Sequence, residues 1–160
     1  MAAGNTYEAI ATQTLASAQA SVTFSSIPSI YTDLVIVTNG TNTGIAYQII
    51  QFNGDTGFNY SCTVLSGNGS TASSARYSNE AYLNLASSSS DYEILINIFN
   101  YSNTTTYKTY LSRYGNASTE TTTFVGMWRN TAALTSVTVK PHINQYATGS
   151  TFTLYGIKAA

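Results

Sequence analysis

Glu93-Ile94-Leu95-Ile96-Asn97-Ile98-Phe99-Asn100 is the stretch that decides the fold. Alternation places Ile94, Ile96 and Ile98 on one face and Leu95 and Phe99 on the other. Both faces are apolar, which predicts a strand in the middle of its sheet, covered on both sides. It follows the serine run Ser87-Ser88-Ser89-Ser90, read as a loop.

The same reading extends outward in both directions. Leu34-Val35-Ile36-Val37 is a short apolar run that ends on Thr38-Asn39-Gly40, an Asn-Gly turn signal. Residues Tyr47 to Phe52 form the next strand, ended by Asn53-Gly54-Asp55, and Tyr60 to Ser66 runs into Gly67-Asn68-Gly69. Tyr107 to Tyr114, Phe124 to Trp128, Leu134 to Lys140 and Thr151 to Lys158 complete the set. The Ala-rich residues from Ala9 to Ala20 are interrupted by Thr12, Thr14 and Ser17, so they read as an initial strand and a turn rather than a helix. Pro28 and Pro141, the two prolines, fall at or beyond strand ends, as a sheet requires. No repeat, linker or change of composition divides the chain. The expectation is one all-β domain over residues 1–160, an antiparallel β-sandwich or jelly roll, with 1–20 as an N-terminal arm or first strand.

Composition excludes several functions. Only 8% of the 160 residues are charged, the net charge is −1, and 43% are hydrophobic. Six Lys/Arg spread along the chain make no basic patch of the kind that phosphate backbones require, so nucleic acid is not an expected partner. Disorder needs high charge with low hydrophobicity and is not expected either. The single cysteine, Cys62, cannot form an intrachain disulfide. The opening MAAGNTYEAIATQTLASA lacks a basic start and an unbroken apolar core, so it does not read as a signal peptide. No apolar run approaches the roughly 20 residues of a membrane helix.

Residues that carry chemistry are sparse. His142, the one histidine, follows Pro141 at a strand end and reads as a surface or interface residue. Cys62 lies inside a strand and reads as a small buried hydrophobe rather than a nucleophile. The carboxylates Glu8, Asp33, Asp55, Glu80, Asp91, Glu93 and Glu120 are isolated, and nothing selects a catalytic pair. Asn53-Gly54-Asp55 lacks the spacing of a calcium loop and reads as a turn. Gly67-Asn68-Gly69-Ser70 has no lysine or helix after it and is no phosphate loop. Asn-x-Ser/Thr sequons, as at Asn39, Asn59, Asn100 and Asn116, are expected by chance in so Asn/Ser/Thr-rich a chain. No catalytic, cofactor or metal residue is assigned.

Tyrosine stands apart, at 13 residues. Its rigid amphipathic ring suits protein contacts and stacking on sugars. Over Tyr107 to Tyr114, alternation puts Tyr107, Thr109, Leu111 and Arg113 on one face. With Leu111 directed to the core, Lys108, Tyr110, Ser112 and Tyr114 form an exposed aromatic-polar stripe, which with Trp128 is the expected contact surface for a partner or glycan.

Four segments resemble a family of small structural proteins of tailed bacteriophages. They are Ser21 to Val37 (SVTFSSIPSIYTDLVIV), Phe52 to Gly57 (FNGDTG), Asn100 to Thr109 (NYSNTTTYKT) and the close from Ala147 to Lys158 (ATGSTFTLYGIK). The resemblance implies a β-sandwich or jelly-roll protein of the virion, trimeric and without a catalytic role. It carries no binding-residue motif to transfer. Made in the host cytoplasm, such a protein would sit on the head as a capsid decoration or cement protein, a homotrimer against the major capsid protein. The alternative is a tail-fibre or baseplate module that contacts host-surface glycans. No long fibrous or coiled-coil region is present, which favours the first.

Overall fold

A computed structural model of the chain describes residues 6–116 and 120–158. Among them are ten strands and no helix: β1 Tyr7–Thr14, β2 Val22–Phe24, β3 Asp33–Phe52, β4 Tyr60–Gly67, β5 Ala72–Glu80, β6 Leu83–Phe99, β7 Lys108–Asn116, β8 Glu120–Trp128, β9 Val137–Pro141 and β10 Thr151–Ile157. All pair antiparallel in the order β1-β10-β3-β6-β7-β8-β4-β5, with β9 on the second half of β3 and β2 on β9.

The pairs nest: β1 with β10, β2 with β9, β3 with β6, and β4 with β5. That is a two-stranded ribbon rolled up on itself, the jelly-roll arrangement. The β7–β8 hairpin is inserted between β6 and β4. Rolling is possible because β3 and β6 are long and β3 changes partner along one edge. On one side β3 stays with β6, Leu34 to Thr41 against its end and Gln48 to Ile50 against its start. On the other it passes from β10, at Asp33 to Asn39, to β9, at Gln48 to Phe52. The β3–β6 ladder slips register between Thr41 and Ala46 and twice more before Ile49. Such irregularities bend a strand and let it pass from one layer of a sandwich to the next. Side chains of β7 then reach the backbone of the first half of β6: the Tyr110 hydroxyl donates to the Asn84 carbonyl and the Ser112 hydroxyl to that of Leu85.

One core runs through the described residues, including Leu34, Ile36, Ile50, Phe52, Tyr60, Phe124, Trp128, Phe152 and Leu154. Ile94, Ile96 and Ile98 are its centre, at 0–1% exposure. Burying each such side chain contributes about 1.5–3 kcal/mol. The strand that holds them is central, between β3 and β7, but it is not covered on both sides. Leu95 is half-buried and Phe99 is 36% exposed, because the second layer packs on the isoleucine face alone.

One expected turn and one expected loop do not exist. Asn39-Gly40 lies within β3, where Asn39 pairs with Glu93 and Thr151. Glycine serves there for close approach: a side chain at Gly40 would collide with Ser150, whose hydroxyl accepts from the Thr41 N–H at 3.2 Å. Ser87–Ser90 is likewise no loop, and the backbone of β6 continues through it, with Ser89 opposite Ala46. Asn53-Gly54 is the turn expected, with both residues at positive φ and the Asp55 N–H donating to Phe52 O at 2.9 Å. The turn at Gly67-Asn68-Gly69 is also present, with Asn68 Oδ1 accepting from the N–H groups of Ser70 and Thr71. Tyr7–Thr14 is a first strand; residues 1–5 of the expected arm lie outside the described residues.

Candidate functional site

The stripe expected to be exposed is turned the other way. Lys108, Tyr110 and Ser112 are fully buried, Tyr114 is 3% exposed and Trp128 1%. Alternation along β7 is as expected, but Leu111 is on the outer face. The polar members of the inner face are tolerated because backbone carbonyls meet them. Lys108 Nζ donates to Thr106 O at 2.8 Å and Thr131 O at 3.1 Å, and burial lowers its pKa. Tyr110 and Ser112 reach the carbonyls of β6 already described, and burial raises the Tyr110 phenol. These residues hold the two layers together and present nothing to a partner.

Trp128 is the hub of an internal cluster. Its ring stacks on Tyr60 (centroids 6.3 Å apart, 18° between planes) and meets Phe52 edge-on at 5.8 Å. Its Nε1 donates to Asp55 Oδ2 at 2.6 Å. Asp55 Oδ1 also accepts from the Gly57 N–H at 2.8 Å, and Oδ2 from Asn59 Nδ2 at 2.9 Å. Burial alone would raise the Asp55 pKa, but the bonds from Trp128, Asn59 and Gly57 together outweigh it and hold the carboxyl below its ordinary value. The Asn53-Gly54-Asp55 turn is therefore a latch on the tryptophan. Cys62 is a buried free thiol, its pKa raised by burial, with Asn84 Nδ2 3.9 Å from its sulfur. Among the described residues no group of three or more His, Cys, Asp or Glu is placed to hold a metal ion.

Two surfaces remain to be weighed. The first is the outer face of the sheet. Cross-strand pairing sets Leu111 between Asn97 and Val125, and Thr109 between Phe99 and Met127. Leu65 lies one row away, opposite Thr123. Paired residues share a face, so Leu65, Phe99, Leu111, Val125 and Met127 lie on one side of β4, β6, β7 and β8. Val125 and Leu65 are more than half exposed. On this face of those four strands the charged residues are Asp91, Glu93 and Arg113.

The second is a cavity of about 540 Å³. Tyr77 and the serines 73 and 74 from β5 line it, with Ser66 and Val64 of β4, Phe124 of β8, Asn84 and Ala86 of β6, and Tyr47 of β3. Glu80 and Tyr82, at the β5–β6 connection, complete the wall. His142 is exposed and joins the aromatic side: its ring stacks on Tyr47 at 4.5 Å and 22°, and meets Tyr82 edge-on at 5.5 Å. The His142 N–H donates to Tyr47 O at 2.9 Å, which fixes the two residues relative to each other. Burial, the neighbouring Tyr47 hydroxyl and the Glu80 carboxylate push the Tyr82 phenol up to about 12. The tyrosines that line this cavity are Tyr47, Tyr77 and Tyr82. None of them belongs to the expected stripe, because three separate segments bring them together. No protein-family model matches the chain, and no curated protein matches it.

Proposed function

We propose that the chain is a non-enzymatic structural protein of a tailed-bacteriophage virion, which binds the outer head surface as a homotrimer and reinforces contacts between capsomers. The four sequence segments quoted above support the virion reading. The observation that carries the binding reading is the outer sheet face, where Leu65, Phe99, Leu111, Val125 and Met127 lie exposed or half-exposed in a field with few charges. Apolar side chains grouped on a flat face mark a protein contact more often than a solvated surface. The major capsid protein is the partner this reading names. Binding the assembled lattice and not its separated subunits would stabilise the lattice by mass action. The lattice and the second and third copies would share the remaining apolar surface by symmetry.

The test is addition of the purified protein to heads that lack it, followed by heating with a dye that reports DNA release. Release is expected at a higher temperature with the protein bound, and Val125→Glu on the outer face is expected to abolish both adsorption and protection. Unchanged heat tolerance at saturating protein removes the cement role. A second reading, a tail module that contacts host-surface glycans, is favoured by one observation, the tyrosine-lined cavity. Saturable adsorption of the purified protein to host cells, and not to heads, would select it.

A further inference from the structure

We infer that the cavity lined by Tyr47, Tyr77, Tyr82, Glu80 and Asn84 is a binding site for a neutral oligosaccharide. This deepens the glycan reading and is independent of head binding, which uses the outer sheet face.

At about 540 Å³ the cavity falls within the roughly 300–1,000 Å³ range of small-molecule sites. Protein interiors ordinarily pack to crystal-like density, and elsewhere in this chain tyrosines do so: Tyr60, Tyr101, Tyr110 and Tyr146 are fully buried. Here three tyrosines surround open space instead. Two of them are also held in place. Tyr47 is stacked on His142, and Tyr82 is wedged edge-on against the same ring. A platform already fixed loses little entropy when a ligand arrives.

The lining selects the ligand class by exclusion. No lysine or arginine lines the cavity, and Glu80 does, so an anionic ligand would meet like charge without compensation. A wholly apolar ligand would cover Glu80 and Asn84 without giving them hydrogen-bond partners, which is costly. The ligand must present a C–H face to the tyrosine rings and hydroxyl groups to the carboxylate, amide and serines. Sugar rings have both.

The experiment is calorimetric and ligand-observed NMR titration of the full chain. The probes are di- and trisaccharides of glucose, galactose and N-acetylglucosamine, with choline as the cation that aromatic rings and a carboxylate could also hold. Saturable binding of at least one saccharide is expected, weakened about tenfold or more in Tyr82→Ala, which amounts to roughly 1.4 kcal/mol. Tyr82→Phe, which keeps the ring, is expected to retain most of it. Ala75 lines the cavity from an exposed strand position opposite Val64, so Ala75→Trp fills the cavity, leaves the core intact and is expected to abolish binding with an unchanged melting temperature. No binding by any saccharide, binding that persists in Ala75→Trp, or binding of choline alone would each overturn the assignment. None of these outcomes bears on adsorption to heads, so the two proposals fail separately.

Discussion

Asp55 joins a turn, a ring and a strand start through one carboxylate. It accepts from the Trp128 indole, the Gly57 N–H and the Asn59 amide, and its own carbonyl accepts from the Tyr60 hydroxyl at 2.9 Å. Asp55→Ala would leave the indole N–H of a 1%-exposed tryptophan without its acceptor. The expected loss is about 2–3 kcal/mol, read from urea unfolding. The pH dependence has a definite sign. The folded pKa lies below the unfolded one, so the contribution of Asp55 is complete above the ordinary carboxylate value of about 4 and drains away as the pH falls through the lower folded value. Asp55→Asn, which no longer titrates, is expected to show a shallower fall of stability over that acid range than the parent chain.

At the scale of strands, close approaches matter more than propensity. Gly126 of β8 lies between Cys62 of β4 and Tyr110 of β7. A Cβ there would come within 2.5 Å of Ser61 O, 2.6 Å of Cys62 Cβ and 2.7 Å of Tyr110 Cε1. Two of these neighbours belong to buried side chains and the third is backbone, so none can step aside. Gly126→Ala is expected to destabilise by about 3 kcal/mol in chemical denaturation, with the strand signal in circular dichroism retained.

Strands rich in β-branched residues were legible in the sequence, as were the turns at Asn53-Gly54 and Gly67-Asn68-Gly69. Sequence reasoning missed β2, β5 and the first half of β6. Ala72–Glu80 is almost wholly exposed and carries no hydrophobic period, so only its ladder to β4 defines it as a strand. Asn39-Gly40 has the composition of a turn but the role of a contact point for Ser150. The direction of β7 could not be read because its inner face carries Lys108 and Ser112, whose burial depends on carbonyls from the 106–131 region and from β6. The cavity was equally hidden. Tyr47, Tyr82 and His142 belong to three segments with no spacing in common, and only the rolled ribbon makes them neighbours.

For the molecule as a whole, low charge has a measurable consequence. Among the described residues the ion pair is Glu8 with Lys158, at the surface where β1 and β10 run together. Cohesion therefore rests on apolar burial and on hydrogen bonds, most of them neutral and a few, as at Asp55 and Lys108, charged but part-buried, and dissolved ions screen both little. The outer sheet face is of the same character. Binding to heads through it is expected to change less than about threefold between low and roughly 0.5 M NaCl, measured by co-sedimentation, because few counterions are released. A steep loss of binding in salt would place the contact on Asp91, Glu93 and Arg113 instead of on the apolar side chains of the same face.

The nesting of β1 with β10 also sets a schedule. Tyr7 finds its partner only in Ile157, and Glu8 only in Gly156. On the ribosome β1 must wait, with its backbone N–H and C=O groups unpaired by another strand, until β10 has been synthesised. Local hairpins such as β4–β5 and β7–β8 can close meanwhile, since their strands follow one another directly. Closure of the ribbon comes last, and pairings between such distant parts of a chain are the slow ones. Maturation of this ribbon is thus a matter of timing, with β1 and β10 zipped together only after the strands between them exist.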